Sequence, residues 1–213
     1  MSRCPSGGNR EANITKANNV SIPAYKEERR AGRGVVHDIA QAVRTGDFEP
    51  FLQCMAWLFC NPDFLAAAMR AIAKCPRPSA DFCTMALEVW VKHGDNWRSE
   101  VQDDLALADA LRTILPPYTG PAITLYRGET VWNRKRRTYG FSWTAKEEIA
   151  HDFSNRLFCR ASEGGSALLR TVAPTEAIIC APGLIDNRYA EQEYLVDRRR
   201  LGAVEVLERY PQL

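Results

Sequence analysis

The chain changes texture at Pro116-Pro117, and that break constrains its fold more than any other feature. Two adjacent prolines remove backbone donors and bar a helix from continuing through them. Before them, residues 35–115 carry apolar side chains at helical spacing. After them, short runs of β-type residues alternate with Gly, Pro and Asn. On the helical side, Val35, Val36, Ile39, Ala40 and Val43 form one stripe that Gly46 ends. Asp47 is placed to cap a second helix bearing Phe48, Phe51, Leu52, Met55 and Leu58. Asn61-Pro62 puts proline at the first position of a third helix, over 64–73. A fourth is expected over 81–92, stopping at Gly94, and a fifth carries Trp97, Val101, Leu105, Ala108 and Leu111. On the other side, strands are expected at 122–126, 139–144, 167–172, 177–180, 193–196 and 204–207, with one helix over 145–153. The fold class is therefore α+β, with a helical subdomain over 33–117 packed on a β-rich core over 118–213. Residues 1–32 read as a flexible polar tail, because few apolar groups there can offset the entropy of ordering.

Composition narrows the function classes. With 46% hydrophobic and 25% charged residues, this is an ordinary globular chain and not a disordered or fibrous one. No apolar stretch approaches the ~20 residues that span a bilayer, so no membrane span is expected. Residues 1–19 lack the apolar segment of a classical secretory signal, which leaves a cytoplasmic location or export by a specialised system. A net charge of +2 is too small to argue for nucleic acid, which is not expected as a partner. The basic run Arg134-Lys135-Arg136-Arg137 reads as a solvated connection or as an attractor for an acidic partner or for cofactor phosphates. Arg198-Arg199-Arg200 reads as the tip of the last hairpin. The seven cysteines are odd in number, form no C-x-x-C pair and mostly sit in apolar surroundings, which favours buried thiols over disulfides or a zinc site. His37, His93 and His151 are isolated from one another and from the cysteines, so no metal is expected. A monomer is expected. There is no G-x-x-x-x-G-K-[ST] and no G-x-G-x-x-G between strand and helix, which disfavours the two common nucleotide-phosphate folds.

Three polar points stand in the β half. Arg127 leaves the run Ile123-Thr124-Leu125-Tyr126 and is followed by Gly128, so a guanidinium fork can meet phosphate or carboxylate where backbone can approach closely. In Phe141-Ser142-Trp143-Thr144, alternation puts the hydroxyls of Ser142 and Thr144 on one strand face and the two aromatic rings on the other. Glu191-Gln192-Glu193 opens the run Tyr194-Leu195-Val196, with its two carboxylates on one face. Like charges repel and desolvation is costly, so the pair is either the solvated mouth of a strand or a site.

Leu125-Tyr126-Arg127-Gly128, then Gly140-Phe141-Ser142-Trp143-Thr144 with its helix to Phe153, then Glu191-Gln192-Glu193-Tyr194-Leu195-Val196, in that order, resemble the R-S-E class of mono-ADP-ribosyltransferases. That group includes arginine-modifying bacterial toxins and effectors. The resemblance covers about 125–196 and implies a mixed β-sandwich of the ADP-ribosyltransferase type behind a helical preamble.

By that resemblance, Arg127 would hold the phosphate and ribose side of NAD+, and Gly128 would offer backbone hydrogen bonds to the nicotinamide amide. Ser142 would position Glu193 and the nicotinamide ribose, with Thr144 in support. Phe153 would stack near nicotinamide or simply pack its helix. Glu193 would bond the ribose 2′-hydroxyl and stabilise the cationic sugar as nicotinamide leaves. Glu191 would meet the acceptor, and a Glu at that position goes with an arginine of a target protein. Asn187 and Tyr189 would belong to the target-recognition loop, and 155–165 reads either as a cover over NAD+ or as a surface loop. The implied activity is transfer of ADP-ribose to protein arginine. Its rivals are NAD+ hydrolysis at the same site and a binding module that keeps the fold without turnover.

Overall fold

The computed structural model describes residues 22–182 and 193–213, the side chains of 22–25 excepted. The first helix, α1 (Ile22–Thr45), begins inside the expected tail. Residues 25–31 include strong helix formers, and Gly32 gives the helix a place to dock. A Cβ at Gly32 would lie 2.3 Å from the Phe64 ring, so α1 rests directly on the 3₁₀ turn Pro62–Phe64. Next come α2 (Phe48–Cys60) and α3 (Leu65–Ile72). Asp47 occupies the N-cap position of α2, although its side chain makes no capping hydrogen bond. The Ser79 hydroxyl does cap α4 (Ala80–Val101), accepting from the Phe82 amide at 3.2 Å.

Helix α4 corrects the expected stop at Gly94, because it runs straight through. A Cβ at Gly94 would sit 2.8 Å from the Trp90 ring, so this glycine makes room for an indole and does not end a helix. The break falls instead at Gln102, in the left-handed region at φ 50°, and Asp103 caps α5 (Asp104–Ile114) by accepting from the Ala106 amide at 3.0 Å. Pro116-Pro117 follows at once. The helices share one core, in which Phe51, Leu58, Met69, Phe82, Trp97, Leu107 and Leu111 are fully buried.

The second half forms β1 (Ile123–Thr130), β2 (Ser142–Thr144), β3 (Ser166–Ala173), β4 (Ile178–Cys180), β5 (Glu193–Val196) and β6 (Val204–Tyr210). Their order in space is β4-β5-β2-β1-β3-β6, and every pair is antiparallel. Among the described residues this single antiparallel sheet stands where a mixed β-sandwich was expected. A second sheet is not needed to bury it. Phe141, Ile179, Cys180 and Leu195 belong to the same apolar cluster as the helices, so helices cover that side. A further apolar cluster gathers Leu125, Trp143, Leu169, Tyr194 and Val196, with Tyr139 and Leu201 closing over it. Short helices α6 (Val131–Arg136), α7 (Glu147–Asn155) and α8 (Leu157–Arg160) lie in the connections. Among the described residues no helix is long and apolar enough to cross a membrane.

Arg198–Arg200 is a 3₁₀ turn between β5 and β6, which are not neighbours in the sheet, so it is not a hairpin tip. Its charges find carboxylates brought in from α5, at positions far away in sequence.

Candidate functional site

Strand order brings the three motifs together. β2 lies between β1 and β5, and Thr144 stands opposite Tyr126 on one side and Glu193 on the other. Residues directly opposite one another in an antiparallel sheet share a face with Cβ atoms about 5 Å apart. Tyr126, Thr144 and Glu193 thus form one row across three strands. Arg127 follows Tyr126, and Ser142 lies two residues before Thr144. A cleft of about 770 Å³ opens here between the sheet, α7, α8 and the 90–98 stretch of α4. Arg127, Gly128, Ser142, Thr144, Phe153 and Glu193 all line it. Glu191, Asn187 and Tyr189 lie outside the described residues.

Ser142 is exposed to the cleft, while Thr144 is buried and its hydroxyl accepts from the Lys146 amide at 3.1 Å, turning the chain into α7. The expected partition of the two aromatic rings is corrected. Phe141 precedes the strand and buries among the helices, edge-on to Trp90 at 6.1 Å. Trp143 enters the sheet core, edge-on to Tyr139 at 5.9 Å. The aromatic residues on either side of Ser142 thus fix its strand to both cores.

Arg127 is held from several directions. Its Nε donates to Glu129 Oε2 at 2.8 Å, and Nη1 donates to the Ser142 carbonyl. Its guanidinium lies against Gly140, where a Cβ would fall 2.2 Å from Nη2. Glu129, 3% exposed, is the residue that the sequence reading missed. Its Oε1 accepts from the Thr130 amide at 2.9 Å and Asn133 Nδ2 at 3.0 Å, and its Oε2 from the Gly140 amide at 3.1 Å as well as from Arg127. Burial pushes the Glu129 carboxyl up, but the Arg127 charge and these hydrogen bonds outweigh it and hold the group below the usual carboxylate range. The signal in the sequence was a second charge two residues after Arg127, on the same strand face.

Gly128 lines the cleft, but its glycine is required by α7. A Cβ there would lie 2.4 Å from the Ser154 nitrogen and 2.7 Å from the Ala150 carbonyl oxygen. The 155–165 stretch is largely helical turn, and Phe158, Cys159 and Ser162 from it form a wall of the cleft. Phe153 also faces the cleft, with the Arg156 guanidinium 3.6 Å from its ring centroid. The basic run 134–137 is mostly helix α6, with Arg136 stacked on Trp132 at 3.2 Å and Arg137 donating to the Gly202 carbonyl at 3.2 Å.

Burial pushes Cys180 up to about 12, with the Glu193 charge adding to it, and burial also raises Cys159. The six described cysteines are free thiols, and among the described residues no group of three His, Cys, Asp or Glu side chains could hold a metal ion.

Two arginine-carboxylate sets join α4 and α5 to the sheet. Asp104 accepts from Arg98 Nε at 3.0 Å and Nη2 at 3.1 Å, and from Arg198. Arg198 also donates to the Tyr139 carbonyl at 3.3 Å, beside the segment that leads into Ser142. Asp197, at the end of β5, accepts from the Arg199 amide at 3.1 Å, Arg199 Nε at 2.9 Å, Arg199 Nη2 at 2.8 Å and Arg112 Nε at 3.4 Å. Arg199 continues to Asp109. Burial opposes ionisation of Asp104 and Asp197, but the arginines prevail and both carboxyls sit below their ordinary range.

No family model, no curated protein and no solved structure matches this chain.

Proposed function

We propose that the chain is an NAD+-dependent mono-ADP-ribosyltransferase that modifies an arginine of a target protein. One observation carries the reading: Arg127, Gly128, Ser142, Thr144, Phe153 and Glu193, named from three separated motifs, all line one cleft. Its volume of about 770 Å³ falls within the range of ligand clefts, roughly 300–1,000 Å³.

The chemistry required of these residues is modest. The bond between the ribose carbon and the nicotinamide nitrogen breaks, and the electron pair leaves with nicotinamide as a neutral group, so no general acid is needed. Positive charge develops on the sugar. Glu193, on the Thr144 row, stabilises that charge where it appears only in the transition state. Arg127 presents its remaining N–H groups to the phosphate side, and Ser142 orients the ribose and Glu193. The acceptor guanidinium is a poor nucleophile while protonated, with a pKa above ~12. Glu191 binds it and takes a proton as its nitrogen attacks the sugar carbon.

The test is incubation with NAD+ and agmatine, with product identification by mass spectrometry. An ADP-ribosyl-guanidine adduct is expected, lost together with nicotinamide release in Glu193→Ala. In Glu191→Gln, transfer should fall while hydrolysis persists. Release of free ADP-ribose alone, with agmatine never modified, would move the assignment to NAD+ hydrolysis. No NAD+ binding by the folded protein would refute both.

A further inference from the structure

We infer that Glu129 is the positioning residue for Arg127, with Gly140 as its counterpart, so that the guanidinium is fixed before any ligand arrives. The inference rests on the functional reading only for what Arg127 meets, not for how it is held.

A free arginine side chain has four rotatable bonds and samples many orientations. Here one carboxylate oxygen of Glu129 takes Nε at 2.8 Å and the Gly140 amide at 3.1 Å. The other oxygen takes the Thr130 amide at 2.9 Å and Asn133 Nδ2 at 3.0 Å. The carboxylate is therefore locked by β1, by the first turn of α6 and by the segment before β2, and cannot swing with its partner. Nη1 is claimed by the Ser142 carbonyl. The guanidinium occupies the space that any side chain at position 140 would fill, since a Cβ would sit 2.2 Å from Nη2 and 2.7 Å from Cζ. Of the five guanidinium N–H groups, Nε–H and one on Nη1 are thus committed to the described residues, and the others line the cleft. The arrangement also ties the first motif to the second. Glu129 and Gly140 are bonded to each other, and Arg127 bonds to Ser142, so the arginine and the serine strand are held in one register.

A buried carboxylate held by so many donors could serve stability alone. The alternatives separate because a positioning role acts through Arg127. Arg127 grips the bound co-substrate in its ground state as in its transition state, so misplacing it should raise KM for NAD+ and leave kcat little changed. Replacing the partner that orients a metal ligand typically costs on the order of 10- to 100-fold, and the same scale is expected for a carboxylate that orients an arginine.

The experiment has two arms on the full chain. In the first, the Arg127 Nε–H resonance is assigned in a ¹⁵N spectrum by its loss in Arg127→Lys. It should be resolved and slow to exchange in the wild type and should collapse onto the exposed arginines in Glu129→Gln. In the second, Glu129→Gln should raise KM for NAD+ by about 10- to 100-fold, and Glu129→Asp, which keeps the charge, should recover part of that loss. Gly140→Ala leaves the carboxylate intact and should shift the same resonance and raise KM alike, so it settles the matter if Glu129→Gln does not fold. An unchanged Arg127 resonance in the folded variants would overturn the inference, as would a wild-type KM. A wild type that binds no NAD+ would sink the functional reading, while the resonance arm would still decide how Arg127 is held.

Discussion

Removal of the Asp197 carboxylate should destabilise the protein by about 2–3 kcal/mol. The side chain is 1% exposed and makes four hydrogen bonds with Arg199 and Arg112. Deleting one member of a buried pair costs about 3–5 kcal/mol, because the remaining charge is left without compensation. That range is an upper bound here. Arg112 and Arg199 retain 25% and 35% exposure, so water recovers part of the loss. Arg199 also keeps Asp109, and Arg112 keeps the Glu176 carbonyl at 2.6 Å. Asp197→Asn, which retains an acceptor for the Arg199 amide, should cost about half as much, since a hydrogen bond to a charged group is worth about 1.5–3 kcal/mol and a neutral one about 1. For a chain of this size each kcal/mol lowers Tm by about 2–4 °C, so Asp197→Ala should melt roughly 4–12 °C lower. Urea, which adds no ions, is the denaturant of choice. The difference should persist at about 1 M NaCl, because buried pairs are screened far less than surface ones. A folded Asp197→Ala within ~0.5 kcal/mol of wild type would refute the reasoning, since that is the range of ordinary surface substitutions. So would a difference that vanished in salt.

Gly128→Ala should destabilise by about 1–3 kcal/mol, the usual cost of overpacking. The clash is with backbone of α7, which cannot rotate away as a side chain can. A melting curve that superimposes on wild type would show that α7 packs more loosely than the structure has it. In acid, stability should fall as Asp104, Glu129 and Asp197 take up protons. Their folded pKa values are depressed, so their contribution is complete above the unfolded values of about 4 and disappears as pH drops through the lower folded ones. The urea midpoint should therefore be level between about pH 5 and 8 and decline below about 4, with a shallower acid limb in Asp197→Asn. A wild-type midpoint that rose on acidification would contradict the sign.

The strands were legible because β-branched and aromatic runs between turn residues carry their own local signal. The run 193–196 is β5 to the residue, and the other five differ only at their ends. The same alternation placed Ser142 and Thr144 on one face, and the row from Tyr126 to Glu193 followed once strand order was known. What sequence misjudged were residues whose meaning depends on a distant neighbour. Gly94 reads as a helix stop by itself, and only the packing of Trp90 explains it inside α4. Three successive arginines read as a hairpin tip because the carboxylates that Arg198 and Arg199 meet, Asp104 and Asp109, are some ninety residues away in the chain. Gly32 belonged to a polar stretch until Phe64 supplied its surface. Glu129 was visible as a charge two after Arg127, but nothing local shows that Gly140 and Asn133 complete its shell.

Both halves of the chain build the cleft, and polar bonds govern how they meet. Apolar contact alone would press α4 against the sheet without fixing a register, since a methyl group packs nearly as well after a small slide. The Asp104 carboxylate admits no such slide. It must satisfy Arg98 on α4 and Arg198 beyond β5 together, and Arg198 must also reach the Tyr139 carbonyl. Asp197 imposes a second condition four residues after Glu193, just past the end of β5, by holding Arg112 of α5. Inside the cleft, Glu129 imposes a third on Arg127. Buried ion pairs are weak sources of net stability, because desolvation consumes most of their attraction. Their value in this molecule is directional: each set of bonds ties one wall of the cleft to an adjoining segment, and a shift of one wall would break several charged hydrogen bonds at once.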